Sequence, residues 1–290
     1  MATVREKGYT HWDGTLIERR FRWWPIARTG IQLAFKKKAF RFFFAMAFLP
    51  AFIALVGLYV SERLEDFKAL VRSNKALLSI DPNYFKGFLT NGATLFGLIL
   101  ILVFAAAGLI ADDLRHNSLQ LYFARPLKKK DYIVGKMAVV AFFVLVLTAL
   151  PYLLLVLFKL VFAGNLTFIA QYPALPLSIV VWSVVLTVFL AFFIMLLSAT
   201  SRSTRYVSII IFMTYLFSAV LAGILKEIFR TPYMGLFSIP ANLEQAGAFL
   251  FGTKLPMSIP AVWSFAVLAG ICGLSAIVLN KKIRGVEVIK

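Results

Sequence analysis

Six stretches of the chain contain no Asp, Glu, Lys, Arg or His: Phe42–Val60, Gly92–Ala111, Met137–Phe158, Ala174–Thr200, Tyr206–Leu225 and Ala261–Leu279. They run from 19 to 27 residues and together hold 127 residues. About 20 helical residues, rising about 1.5 Å each, cross a hydrocarbon layer of about 30 Å. In that layer no water is available to the backbone, and a helix satisfies its own N–H and C=O groups. A β-barrel would alternate polar and apolar positions, and runs such as Leu98–Val103 do not. The pattern predicts an all-α integral membrane protein with six transmembrane helices. It divides into a basic segment 1–41, a membrane domain 42–279 and a tail 280–290.

Composition agrees. The chain is 61% hydrophobic and 15% charged, against about 45–50% and about 25% for a soluble domain. Mean hydropathy is +0.84. A water-soluble enzyme domain, a disordered chain and a disulfide-stapled module are all excluded. The formal net charge of +18 raises the question of nucleic acid, but on so apolar a chain cations belong to loops flanking lipid. No nucleic-acid partner is expected. Segments 1–41, 112–136, 201–205 and 280–290 carry 22 Lys and Arg, whereas 61–91, 159–173 and 226–260 carry 9. That asymmetry predicts both termini on the cytoplasmic side, in keeping with an even number of spans.

Some features bend this picture. Lys159 is the only charge between Met137 and Thr200. Spans three and four therefore form one long apolar hairpin, turning either at Ala163-Gly164-Asn165 or at Gln171-Tyr172-Pro173. Pro50, Pro151 and Pro176 lie where they can kink helices. The basic, interrupted first forty residues show no signal peptide. Cys272, alone in span six, reads as a small hydrophobe, with no disulfide framework or thiolate metal cluster.

Outside the spans, Pro25–Lys38 predicts a short interfacial helix, with Pro25 suited to its first turn. Ile26, Ala27, Gly30, Ile31, Leu33 and Ala34 share one arc, and Arg28, Gln32 and Lys36 the other. Trp23 and Trp24 precede it, and indoles favour the headgroup layer. The segment is either a basic tether or an amphipathic elbow helix along the inner leaflet. We favour the elbow, with Trp23, Trp24, Arg28 and Lys36 as its membrane anchors. Ser61, Glu62 and Glu65 read as the start of a solvated helix that Asp81-Pro82-Asn83 stops. Between Lys226 and Pro260 four X-Pro steps break the chain, and Asn242–Phe251 is either a re-entrant helix or one lying flat. The sequon Asn165-Leu166-Thr167 reads as incidental.

Candidate chemistry is sparse. Ion-coupled carriers use carboxylates or histidines within the membrane, and the six charge-free stretches hold none. This argues against proton coupling, while sodium sites built from broken-helix carbonyls stay open. The chain lacks a Gly-x4-Gly-Lys-Ser/Thr loop, a His-Glu-x-x-His arrangement and a Gly-x-Ser-x-Gly elbow. Its two histidines, His11 and His116, lie far apart, and Asp112-Asp113 lacks a third metal ligand nearby. Neither an enzymatic site nor a bound metal or cofactor is expected. Uphill transport would need another subunit to do the work.

The stretch Gly108–Lys136 carries the clearest signal. It leaves span two through Leu109-Ile110-Ala111, continues as Asp112-Asp113-Leu114-Arg115-His116 and breaks at Asn117, a residue tolerated in left-handed conformation. Ser118 is a plausible N-cap for a short helix, Leu119–Ala124, which Arg125-Pro126-Leu127 stops. Lys128–Lys130 follow, and the chain re-enters through Tyr132 to Gly135-Lys136. Here the sequence resembles the membrane subunit of ABC-2-type ATP-binding-cassette transporters. That pattern runs Leu-Ile-Ala, two variable or acidic residues, Gly-Thr-Leu, an acid and leucines, then Pro-Leu/Val, a basic stretch and Gly-Lys. The chain matches at Leu109-Ile110-Ala111, Asp113, Leu119, Leu121, Pro126-Leu127 and Gly135-Lys136. It departs at Asn117 for glycine, Ser118 for threonine and Gln120 for the acid. The basic lead, six spans and proline-broken segment before the last span extend the likeness to the wider chain.

The resemblance implies a permease half-transporter, most often an exporter of the bacterial cytoplasmic membrane. It would pair with a second copy or a related permease chain and rest on a separate ATPase subunit that holds the ATP and magnesium. The loop would act as a coupling helix through Asp113, Arg115, His116, Asn117, Ser118, Leu119, Leu121, Tyr122, Pro126, Leu127 and Lys128. Arg115, Lys128 and Lys129 would make rim contacts; Lys128–Lys130 equally suit anionic lipid. The alternatives are a self-sufficient channel or sodium-coupled carrier, and a membrane scaffold without transport. The 29 Phe, 10 Tyr and 5 Trp suit either a path for amphipathic cargo or simple lipid-facing packing.

Overall fold

A computed structural model describes residues 21–63, 80–123 and 127–283. Residues 1–20, 64–79, 124–126 and 284–290 lie outside that set, as do the side chains of Arg63, Leu121 and Phe123. Most of the expected outer-loop helix, Pro126 and most of the tail therefore fall outside the described residues.

Every regular element among the described residues is helical. In chain order these are α1 (Trp24–Lys36), α2 (Lys38–Met46), α3 (Leu49–Arg63), α4 (Pro82–Thr90), α5 (Gly92–Ala106), α6 (Gly108–Arg115) and α7 (Ser118–Phe123). Then come α8 (Lys129–Leu147), α9 (Ala149–Ala163), α10 (Thr167–Gln171), α11 (Leu175–Ser198), α12 (Thr204–Phe229), a 3-10 helix Pro232–Phe237, α13 (Ile239–Leu250) and α14 (Ala261–Lys282).

Six helices are long and apolar enough to cross a membrane: Lys38–Glu62, Gly92–Arg115, Lys129–Ala163, Leu175–Ser198, Thr204–Phe229 and Ala261–Lys282. Each covers nearly all of one charge-free stretch. The second and fourth form the centre, with 61% of their most apolar windows buried, against 17% for the first and 22% for the fifth and sixth. Outward-facing side chains include Phe42, Phe52, Phe217 and Val262, each 60% or more exposed. Such a surface suits lipid, not water.

The breaks within spans have local causes. Pro50 has no N–H for the Met46 carbonyl, and the first span breaks at Ala47–Phe48. Pro151 deprives Leu147 in the same way, and the third span breaks at Thr148, whose hydroxyl turns back to the Val144 carbonyl at 2.7 Å. Pro176 makes no kink, because it sits in the first turn of α11, where its missing N–H is not needed. The hairpin between spans three and four uses both candidate turns. Gly164, at φ +65°, ends α9; the short α10 follows; and Tyr172-Pro173 leads into α11.

At the other end of that hairpin, α1 lies along α8. Ile26, Ala27 and Ala34 form its buried face. A Cβ on Gly135 would stand 2.9 Å from both the Trp23 carbonyl oxygen and Ile26 Cβ, so glycine there permits the close approach. Gly135→Val should push α1 away and cost about 1–3 kcal/mol, read as a lower melting temperature in detergent. Gly87→Ala, facing open space, should leave it unchanged.

At the end of the bundle away from α1, α13 is tucked among the spans. Seven of its twelve residues are buried, so it packs against the spans around it. Gln245 holds the following strap, with Nε2 donating to the Ile259 carbonyl at 2.8 Å and Oε1 accepting from Met257 N at 2.9 Å. The helix start expected at Ser61 and Glu62 is corrected, since both continue α3; where any following helix stops lies outside the described residues. Asp81-Pro82-Asn83 opens a helix: the Asp81 carboxylate accepts from Tyr84 N at 3.0 Å and caps α4.

Candidate functional site

The second span does not run straight into the loop that follows it. At Ala107 its regular helix is interrupted without a proline, and the side chains of Ser198 and Lys37 bond to backbone groups on either side. The fully buried Ser198 hydroxyl, from the end of α11, donates to the Ala107 carbonyl at 2.7 Å. It accepts from Ile110 N at 3.0 Å and Ala111 N at 3.1 Å. Lys37, between α1 and α2, donates its ammonium to the Phe104 carbonyl at 2.9 Å. A side chain inserted into the helical ladder is a recognised cause of a kink.

Beyond the interruption, α6 carries Asp113 against the start of α8. The Lys136 ammonium lies 2.7 Å from Asp113 Oδ2, and the Tyr132 hydroxyl donates to the same oxygen at 2.7 Å. Both charged side chains are nearly enclosed, Lys136 at 10% and Asp113 at 13% exposure. The ammonium also lies over the Tyr122 and Tyr132 rings, 5.8 and 5.4 Å from their centroids. Burial pushes the Tyr122 phenol up from its ordinary value, and the Asp113 charge pushes the same way. This cluster ties the two ends of the 112–136 segment together.

Between those ends the chain turns at Asn117, which adopts the left-handed conformation expected of it, at φ +52°. Ser118 then begins α7. Leu119, Tyr122 and Leu127 pack back against a small core of Ile26, Ile110, Tyr132, Met195, Ala199 and Leu279. His116, Asn117, Gln120 and Lys128 are exposed. His116 Nδ1 lies 2.9 Å from the Asp112 carbonyl oxygen. Asp131 accepts from Lys128 N at 3.2 Å and caps α8.

The residues singled out from sequence thus divide. Asp113, Leu119, Tyr122 and Leu127 form the root of a projecting element. His116, Asn117, Gln120 and Lys128 form its outward face, with Ser118 half-buried between them. Arg115 is exposed on the opposite flank of α6, beside α12. Of Leu121 only the backbone is described, and Pro126 lies outside the described residues. Among the anchors, Arg28 and Lys36 are exposed, Trp24 is 51% exposed and Trp23 is half-buried, with the indoles edge to face at 5.9 Å. Sequence reading gave no role to Lys37, Tyr132 or Ser198. It took Lys136 only as part of a motif. The available signal for Lys136 was a cation opening a charge-free run, 23 positions after Asp113 in the acid pair that follows another.

Two clefts flank this element. One, of about 270 Å³, runs between α1 and the root and is lined by residues including Gly30, Leu33, Lys37, Asp113, Tyr122 and Lys136. The other, of about 590 Å³, is lined by Asp112, Arg115, Ser203, Thr204 and Arg205. This whole end of the bundle is positive. Among the described residues it holds fifteen Lys and Arg against three acids, while the far end holds six against four. The arrangement offers an anchored, projecting helix with polar groups outward, suited to binding. No protein-family model matches the chain, and no curated protein aligns with it significantly.

Proposed function

We propose that the chain is the permease subunit of an ATP-binding-cassette transporter of the ABC-2 type, an exporter driven by a separate ATPase subunit. The observation that carries this reading is the geometry of the 112–136 segment. A short helix stands at the far end of the hairpin, with Leu119 and Tyr122 packed against its root and Gln120 exposed. The Asp113–Lys136–Tyr132 cluster binds its root. A plain lipid-facing loop has no need of so fixed a root, whereas a lever does.

In this reading α7 and its outward groups, His116, Asn117, Gln120 and Lys128, sit in a groove of the ATPase. Lys128 adds a rim contact that steers docking. Two permease chains, identical or related, enclose a path, each on its own ATPase. ATP and magnesium are held by those partners, and this chain supplies no catalytic group. Closure of the ATPase pair moves the two handles together. The clamped root passes that movement to spans two and three, with the Ala107 interruption as pivot, in a two-state rocking change. The positive end lies in the cytoplasm of a bacterial cell, with α1 as an elbow along the inner leaflet; the charge imbalance between the two ends supports that placement.

The test is co-purification with a nucleotide-binding ATPase from membranes of the native host. Wild-type protein should recover the ATPase and stimulate its turnover. Gln120→Asp combined with Lys128→Glu, both at exposed positions, should lower recovery about tenfold, a loss of about 1.4 kcal/mol, with the melting temperature of the permease unchanged. Transport by the chain alone in vesicles would contradict the proposal.

A further inference from the structure

The larger cleft lies on the flank of α6 opposite the handle's root, and the handle does not use it. Its walls carry two guanidinium groups, Arg115 and Arg205, and the side chains of Ser203 and Thr204. Neither arginine has a hydrogen-bond or ion-pair partner among the described residues. The cleft's one acid, Asp112, is already engaged, for the Thr204 hydroxyl donates to its Oδ1. Two cations against one carboxylate leave a single positive charge, which matches the single negative charge of a phosphodiester. Guanidinium groups bind phosphate oxygens through paired N–H donors.

The position of the cleft says what carries the phosphate. Arg115 is the last residue of the second spanning helix and Thr204 the first of the fifth. The cleft is therefore level with the helix ends, where headgroups lie, and not at the tip of the handle. Below Arg205 on the same face of α12 come Ile209 and Met213, at steps of four residues. They are 59% and 56% exposed. A cation followed one and two turns deeper by exposed apolar side chains fits a headgroup with an acyl chain beneath it. A soluble phosphate would have no use for Ile209 and Met213.

We infer that the cleft between α6 and the start of α12 binds the phosphodiester headgroup of an anionic phospholipid, with Arg115 and Arg205 on the phosphate and Ile209 and Met213 along an acyl chain. Bound there, the lipid bridges the base of the 112–136 hairpin to the fifth span. The site needs only that the positive end faces a leaflet containing anionic lipid, so it stands whether or not an ATPase grips α7.

The test is native mass spectrometry of the full chain, purified without any ATPase and exposed to phosphatidylglycerol or to phosphatidylcholine of matched chains. One phosphatidylglycerol per chain should survive delipidation, and phosphatidylcholine should not. Arg205→Gln should lower phosphatidylglycerol retention about tenfold, Arg115→Gln with Arg205→Gln should abolish it, and Arg205→Lys should keep part of it. Ile209→Ser with Met213→Ser should weaken lipid retention while both arginines remain. Equal retention by wild type and the double arginine variant at equal melting temperature overturns the inference. So does binding of inorganic phosphate without retention of lipid, which would make the cleft a soluble-anion site. A third overturning result is unchanged lipid retention in Arg205→Gln with lost ATPase co-purification, which would make the cleft a protein contact.

Discussion

Lys136→Met is expected to be the most damaging single substitution in the chain, costing about 3–5 kcal/mol. The methionine fills much of the same space, so little packing is lost. What changes is that the Asp113 carboxylate, 13% exposed, is left with only the Tyr132 hydroxyl opposite it. A carboxylate held away from water costs far more unpaired than paired. The same reasoning predicts the rescue. Asp113→Leu combined with Lys136→Met removes both charges and should recover most of the lost stability, because an apolar pair of similar volume avoids the desolvation of two ions. Thermal denaturation of the three variants in detergent checks this. If the double variant is as unstable as Lys136→Met, the charges are not what holds the root.

Ser198→Ala should cost about 1–3 kcal/mol, although it deletes one oxygen atom. That oxygen serves the Ala107 carbonyl and the Ile110 and Ala111 amides at once, at a point of zero exposure. No water reaches them to take its place. Ser264→Ala is the matched control, since the Ser264 hydroxyl is equally buried but has no hydrogen-bond partner among the described residues. Its removal should be neutral or mildly stabilising. Melting temperatures of the two variants should separate clearly. Equal values would mean that the second span closes its own ladder when the serine is removed, and that the interruption is a property of the span alone.

How much of this was legible in the sequence depended on whether the signal was local. The six spans were, because a hydrocarbon layer excludes charge and the exclusion leaves long uninterrupted runs. The Pro50 and Pro151 breaks were also local, since a proline acts on the carbonyl four residues back. The α1 helix was legible from its apolar arc, except that Leu33 is 53% exposed. Helix ends were less so. Spans two and three continue past Ala111 and begin before Met137, carrying Asp112, Asp113 and Lys136 with them. Asp113 and Lys136 looked like the edges of spans because each is neutralised by the other across the hairpin, while Asp112 accepts from the Thr204 hydroxyl of the fifth span.

The candidate site was legible as a loop and illegible as an object. Asn117 announced its turn and Ser118 its short helix. Leu119 and Tyr122 looked like contacts on offer to a partner, yet they pack inward and leave Gln120 outward. A six-residue helix does not declare which side faces its own bundle. The interruption at Ala107 had no signal at all, and the hydroxyl that bonds there belongs to Ser198, 91 residues away.

The most direct test of the handle is photo-crosslinking in intact membranes from a photoreactive residue placed at the exposed position 120. The account predicts one dominant adduct with a nucleotide-binding ATPase, sensitive to ATP, and none from position 87 at the opposite end of the bundle. Adducts with lipid alone from position 120 would contradict it.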